Sequence, residues 1–163
     1  MNNRRAMLGA ILGAGIAGWI ASGRESGAAD AGVFPIMHPD GDWRRLLTPA
    51  QYRILRQQGT EPPGSSPLDH EFRPGRYDCV GCAKPLFSSA TKFDSGTGWP
   101  SFFAPLADAV ATTTDTSLLM RRTEVHCANC GGHLGHVFSD GPRPTGQRYC
   151  MNGAVLAFHP ETA

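Results

Sequence analysis

The chain has 163 residues, with 15 basic against 14 acidic side chains and no long charge run. That balance gives no electrostatic footprint for nucleic acid or for an anionic membrane surface. Twenty glycines and thirteen prolines favour turns and short strands over long helices, so the expectation is one modest, mainly β domain.

At the N-terminus, Asn2-Asn3-Arg4-Arg5 precedes an uncharged stretch from Ala6 to Gly23 that carries Ile11, Leu12, Ile16, Trp19 and Ile20 among glycines and alanines. Paired arginines before a weakly hydrophobic, glycine-rich run resemble a twin-arginine export signal, and Gly27-Ala28-Ala29 offers small residues for cleavage. Residues 1–32 are therefore read as signal peptide and linker, with the periplasm or another exported location as the destination. A retained anchor helix is the alternative, against which five glycines in the stretch weigh. No cysteine stands there for lipidation.

The domain proper, 33–163, is expected to open with a short helix. Thr48 reads as its N-cap, Pro49 as its first residue, Gln51 as the capping-box partner and Gly59 as its stop. Tyr52, Ile54 and Leu55 form its apolar face, and its arginines read as a solvated side. Glu61-Pro62-Pro63-Gly64-Ser65-Ser66-Pro67 cannot continue a helix and reads as an extended connection. Short strands are then expected at 76–79, 86–87, 102–103, 109–114, 118–125, 134–138, 149–151 and 155–158, with Asp115-Thr116 turning the two longest into a hairpin.

Five cysteines carry the strongest chemical signal. Four form two Cys-x-x-Cys pairs, Cys79/Cys82 and Cys127/Cys130, and Cys150 stands alone. Two such knuckles supply the four-sulfur set that zinc prefers, with no open position for chemistry. The rival readings are weaker: a redox pair usually sits at a strand-to-helix junction, which Gly81 and Pro85 oppose, and a bridge within Cys-x-x-Cys closes a strained ring.

Three patches are polar or aromatic where a plain core is aliphatic: Gly98-Trp99-Pro100-Ser101-Phe102, the run from Gly132 to Gly141, and Arg148-Tyr149-Cys150-Met151-Asn152. A lone cysteine is more often a small buried hydrophobe than a nucleophile. On a strand, however, Arg148 and Asn152 lie on the face of Cys150, where the guanidinium favours a thiolate. His133 and His136 read as zinc ligands, core histidines or an acid/base pair, and the four knuckle cysteines weaken the first option. Trp99 reads either as a core anchor or as the wall of a pocket for a methyl or thioether group.

Taken together, Leu47-Thr48-Pro49, Gly59-Thr60-Glu61, both knuckles, Lys92-Phe93-Asp94-Ser95-Gly96, Gly98 to Phe102, His133 to Phe138, Asp140-Gly141-Pro142 and Arg148 to Asn152 carry a resemblance. The stretch from Trp43 to Phe158 resembles the type B methionine sulfoxide reductases, which act on the R epimer at sulfur. The resemblance implies two antiparallel sheets, one structural zinc held by Cys79, Cys82, Cys127 and Cys130, and a shallow active-site basin. It casts Cys150 as the nucleophile that attacks the sulfoxide sulfur and Trp99 as the residue that packs on the substrate methyl group. His136, helped by His133 and oriented by Asp140 or water, becomes the proton donor or oxygen binder, and Arg148 and Asn152 line the same site. The implied product is methionine plus a sulfenic acid on Cys150.

Where many members of that family carry a cysteine before Gly98-Trp99, this chain has Thr97, so an external thiol, such as a thioredoxin-like donor, is expected to regenerate Cys150. Ser139 stands where an acidic residue is common, and Ala83 replaces a glycine after the first knuckle. The expected role is repair of oxidised proteins by a monomer. A non-catalytic zinc β domain that binds a peptide or small ligand in an aromatic pocket is the reading from another class, and Cys150 with its histidine and tryptophan partners speaks against it.

Overall fold

The computed structural model describes residues 34–162, and the expected export signal lies outside them. Two helices precede the strands. The first, α1 (Asp40–Leu46), was not expected: it has Asp40 and Asp42 in its first turn, Arg44 and Arg45 in its last, and buries Trp43 alone, so it carries no hydrophobic period to read. The second, α2 (Pro49–Gln57), starts as expected, with both bonds of the Thr48/Gln51 capping box formed. It ends one residue before the expected stop, because Gln58 takes the left-handed cap at φ 54° and the Gly59 N–H then reaches the Arg53 carbonyl. Tyr52, Ile54 and Leu55 are buried as expected, and Leu55 lies against Gly81 and Gly132 beside the two cysteine knuckles. One arginine is less solvated than its helix face implied: Arg56 donates to the Cys130 carbonyl and covers the Trp43 ring.

The rest is mainly β. A three-stranded antiparallel sheet has the order β2 (Pro85–Ser88), β1 (Gly75–Cys79), β9 (Leu156–Pro160). A six-stranded antiparallel sheet has the order β3 (Lys92–Phe93), β4 (Ser101–Phe102), β8 (Arg148–Met151), β7 (His133–Phe138), β6 (Arg122–Cys127), β5 (Val110–Asp115). Between the sheets, Phe102 of the larger one stacks on Phe87 at 4.3 Å and meets Tyr77 edge-on at 5.0 Å, and all three rings are fully buried. Such aromatic pairs add about 0.5–1.5 kcal/mol each beyond the apolar area they bury.

The expected hairpin of β5 and β6 forms, with a different turn. Asp115 pairs directly with Arg122, and residues 116–121 make the connection with a single 3-10 turn at Ser117–Leu119. Asp115 caps that turn through its own side chain, which accepts the Ser117 N–H at 2.8 Å. The strand expected from Leu118 therefore begins at Arg122. The short β3 was missed because two residues carry no alternation to detect.

The knuckles connect the two sheets. β1 ends in Cys79 and β6 ends in Cys127, and each chain then doubles back: the Ala83 N–H bonds to the Cys79 carbonyl at 2.8 Å and the Gly131 N–H to the Cys127 carbonyl at 2.9 Å. Ala83 and Gly131 hold equivalent left-handed conformations, at φ 55° and 67°.

Candidate active site

The site is one face of the six-stranded sheet, read across its register. Directly opposed residues in an antiparallel pair share a face, and so do residues two apart along a strand. Ser101 faces Cys150, Cys150 faces His136, His136 faces Glu124, and Glu124 faces Thr113. Stepping two residues along each strand adds Arg148, Phe138, Arg122 and Asp115 to the same face. A regular strand would send His133 to the other side, three residues from His136. The register of β7 against β6 shifts where His133 faces His126 and Gly135 faces Val125, leaving Leu134 as the extra residue. That bulge returns His133 to the face of His136, and the two rings lie 5.4 Å apart.

Glycine is required at two points. At Gly135 a Cβ would stand 2.1 Å from the Cys150 carbonyl oxygen, so no side chain fits between β7 and β8 behind the nucleophile strand. At Gly98, φ is 85° and a Cβ would stand 2.8 Å from the Gly64 nitrogen, whose N–H bonds to the Gly98 carbonyl. This turn presents Trp99, whose indole N–H donates to the Glu61 carbonyl at 3.1 Å.

Trp99, His136, Phe138, Cys150, Arg122 and Thr60 line a cavity of about 200 Å³, which Gly135 and Asn152 complete. Its lining combines aromatic rings with an imidazole and a guanidinium, so the cavity suits a small group with one apolar and one polar end. Asn152 is 3 % exposed, and both ends of its amide are committed to the frame: Oδ1 accepts the Glu61 N–H and Nδ2 donates to the Leu134 carbonyl. It stands just beyond β8 and lines the cavity.

Burial raises the Cys150 thiol pKa above its usual value, against the opposing pull of Thr97, Arg148 and Ser101. The expected help from Arg148 therefore has the right sign and is outweighed. Thr97 Oγ1 is 3.9 Å from the Cys150 sulfur and belongs to a hydroxyl chain through Ser95 to Ser101. Burial likewise lowers the His136 pKa, with Asp115 pulling it back up.

The expected orientation of His136 by Asp140 is not what the structure has. Asp140 is exposed and makes two bonds to the Arg148 guanidinium, at 2.9 and 2.8 Å, and Arg148 in turn lies over the Phe138 ring. His136 Nε2 instead bonds to Asp115 Oδ2 at 2.8 Å. Asp115 sits on the neighbouring hairpin, and its carboxyl is held below the usual range by Ser117, His136 and Arg122. His133 Nδ1 has its own carboxylate, Glu124, at 2.7 Å. Sequence reading missed Asp115, Arg122, Glu124 and Phe138 as site residues. The alternation Thr113-x-Asp115 against Arg122-x-Glu124 was the available signal, and it becomes readable only once the hairpin register is right.

The four knuckle cysteines converge as expected, their sulfurs all within 4.8 Å of one another. Cys79 and Cys130 are 3.8 Å apart and Cys82 and Cys127 3.5 Å. Tetrahedral bonds of about 2.3 Å from sulfur to zinc place sulfurs roughly 3.8 Å apart, so the donor set fits a closed four-sulfur metal centre. Four thiolates at this spacing repel one another strongly unless a cation lies among them.

The comparisons with known proteins agree with this geometry. The SelR domain model matches residues 47–160. The peptide methionine sulfoxide reductase MsrB of Agrobacterium fabrum is 56 % identical over 122 residues, covering 74 % of this chain and 90 % of the relative. The protein of the same name from Leifsonia xyli is 56 % identical over 135 residues, 82 % of this chain and 97 % of its own. Peptide methionine sulfoxide reductase B1 of Arabidopsis thaliana, a chloroplastic protein, is 54 % identical over 118 residues, 72 % of this chain and 58 % of its own. With a domain match across both knuckles, the histidine pair and Cys150, the chain belongs to the SelR-domain family, that of the type B methionine sulfoxide reductases.

Proposed function

We propose that the protein reduces the R epimer of peptide-bound methionine sulfoxide to methionine, with Cys150 as nucleophile and an external thiol as the final electron source. As a family member it is an oxidoreductase acting on methionine sulfoxide. The observation that carries the finer reading is that Cys150, Trp99 and His136 line one small cavity. The indole face suits the S-methyl group, and the imidazole suits the sulfoxide oxygen, which is a poor leaving group until protonated.

In the first half-reaction the Cys150 thiolate attacks the sulfoxide sulfur while a proton from His136 reaches its oxygen. Oxygen passes to Cys150 as the S–O bond to the substrate and the new bond between the two sulfurs both break, and methionine leaves behind a Cys150 sulfenic acid. One thiol then displaces water to give a mixed disulfide, and a second releases Cys150 and the oxidised donor. In sum, one sulfoxide and two thiols give methionine, a disulfide and water.

Zinc is the metal we assign to Cys79, Cys82, Cys127 and Cys130, where a closed sulfur set supplies structure and leaves no position for substrate. Export through the paired arginines at Arg4 and Arg5 belongs to the same reading, and lysines at both positions should hold the protein in the cytoplasm. The function is tested with both epimers of a blocked methionine sulfoxide and dithiothreitol as donor. The R form should be consumed, the S form left, and Cys150→Ser should be inert. Failure to turn over the R form overturns the proposal.

A further inference from the structure

A second chamber of about 280 Å³ is walled by polar groups, Gln58, Thr60, Asp115, Arg122, Glu124 and His133, and His136 lines both it and the nucleophile's cavity. Thr60 and Arg122 border both spaces. Each histidine is anchored there by one ring nitrogen. Asp115 takes His136 Nε2 and is itself held by the Arg122 guanidinium at 2.7 Å and the Ser117 N–H at 2.8 Å. Glu124 takes His133 Nδ1 and is held by the Thr113 hydroxyl at 2.9 Å and the Gln58 amide at 3.3 Å. His133 is 3 % exposed, and its other nitrogen, Nε2, is buried without a partner among the described residues. Buried ring nitrogens are rarely left so, and with Nδ1–H held by Glu124 this one is an open acceptor.

We propose that Asp115 and Glu124 are positioning residues for the reduction: each accepts the N–H of one histidine, so that His136 is left to protonate the sulfoxide oxygen through Nδ1 and His133 is left with Nε2 as a free acceptor. The inference rests on the proposed reduction at Cys150. A carboxylate can accept but not donate, so the nitrogen it holds must keep its hydrogen in both charge states of the ring. Neutral His136 is then the Nε2–H form, and the proton that comes and goes is on Nδ1. When Nδ1 gives its proton to the sulfoxide oxygen, its lone pair stays on the ring and Nε2 stays bonded to Asp115. The next proton comes from solvent. The charges around His136 are Asp115 from β5, Arg122 and Glu124 from β6, His133 from its own strand and Cys150 from β8. Asp115 alone bonds to it, and so decides which nitrogen is free.

Two measurements test this separately from the function. Long-range nitrogen-15 NMR of the wild-type protein should show His136 as the Nε2–H tautomer and His133 as the Nδ1–H tautomer. The opposite assignment for His136 overturns the proposal whether or not the protein is active. In single-turnover reduction of the R sulfoxide, Asp115→Asn should slow methionine formation on the order of 10²-fold, within the range that a general acid supplies, while the KM for sulfoxide changes little. Its low-pH limb should move to lower pH, because the imidazolium loses its carboxylate. Glu124→Gln should slow the same step less and leave that limb in place. Asp115→Asn at the wild-type rate with an unmoved limb overturns the proposal. If that variant fails to fold, the wild-type tautomers and Glu124→Gln decide it, and a wild-type protein without R-sulfoxide turnover fails the earlier reading instead.

Discussion

Thr97 holds its hydroxyl 3.9 Å from the sulfur of Cys150, where a second cysteine would be close enough to capture a sulfenic acid. The other four cysteines of the chain converge on one another at the knuckles. No internal partner is therefore left for the oxidised nucleophile. Stoichiometric sulfoxide without reductant should yield one methionine per protein and a dimedone adduct on Cys150 by mass spectrometry. Thr97→Cys should instead give a disulfide with Cys150, since the side chain at 97 already lies beside the Cys150 sulfur. An internal disulfide in the wild-type protein would contradict this account.

The two reacting groups are shifted apart by burial, Cys150 upward and His136 downward. Attack needs the thiolate together with a proton on His136. Below the His136 pKa the imidazolium is complete and the thiolate falls with pH; above the Cys150 pKa the thiolate is complete and the imidazolium falls. Between them the two trends cancel. The profile of kcat/KM should thus be a flat plateau reaching below the usual histidine value of about 6.5 and above the usual cysteine value of about 8.5. A narrow maximum with both limbs inside that interval would count against these assignments.

Much of this site was legible in the sequence because its parts are local. A Cys-x-x-Cys turn, a capping box and a lone cysteine between Tyr149 and Met151 each declare themselves within a few residues. What was not legible depends on register. The carboxylate of His136 was sought at Asp140, four residues away, and it comes from Asp115, two strands across the sheet. The choice turned on where the hairpin closes, and a turn placed at Asp115-Thr116 puts the wrong residues opposite one another. The bulge that unites His133 and His136 has no signature beyond Gly135, whose role depends on the strand beside it.

The metal centre should be a fold determinant, because its four ligands come from the ends of β1 and β6, one in each sheet. Zinc-finger peptides gain roughly 10–16 kcal/mol from such a site. Metal analysis should find one zinc per chain, retained in Cys150→Ser and lost in Cys127→Ser. Chelation should abolish the near-ultraviolet circular dichroism of the packed Tyr77 and Phe102 rings together with the metal. A metal-free protein that keeps that spectrum with all thiols free would refute the assignment.

Ala83 holds φ 55° at the place in the first knuckle where Gly131 stands in the second. An L residue in the left-handed region costs about 1–2 kcal/mol, part of which glycine gives back through its freer unfolded chain. Ala83→Gly should therefore stabilise the protein by about 0.5–1 kcal/mol in denaturant titration, with activity unchanged. Gly131→Ala should do the reverse and cost more, since a Cβ there would stand 2.3 Å from the Phe34 ring.

Glu61 ties together three segments of the site. Its carbonyl accepts the Trp99 indole N–H, its own N–H donates to Asn152, and its carboxylate accepts the Gly153 and Ala154 N–H groups at 2.6 and 2.8 Å. Burial raises its pKa against the lowering effect of those two N–H bonds. The main-chain bonds survive a substitution and the carboxylate bonds do not. Glu61→Ala should then leave two N–H groups without partners just beyond the nucleophile strand, at about 1–3 kcal/mol for each one that stays buried. Trp99 keeps its anchor, so the KM for sulfoxide should change little in protein that remains folded at low temperature. Urea titration and steady-state kinetics on one preparation separate the two effects. A large rise in KM with stability unchanged would mean that the carboxylate itself faces the substrate, contrary to its bonding.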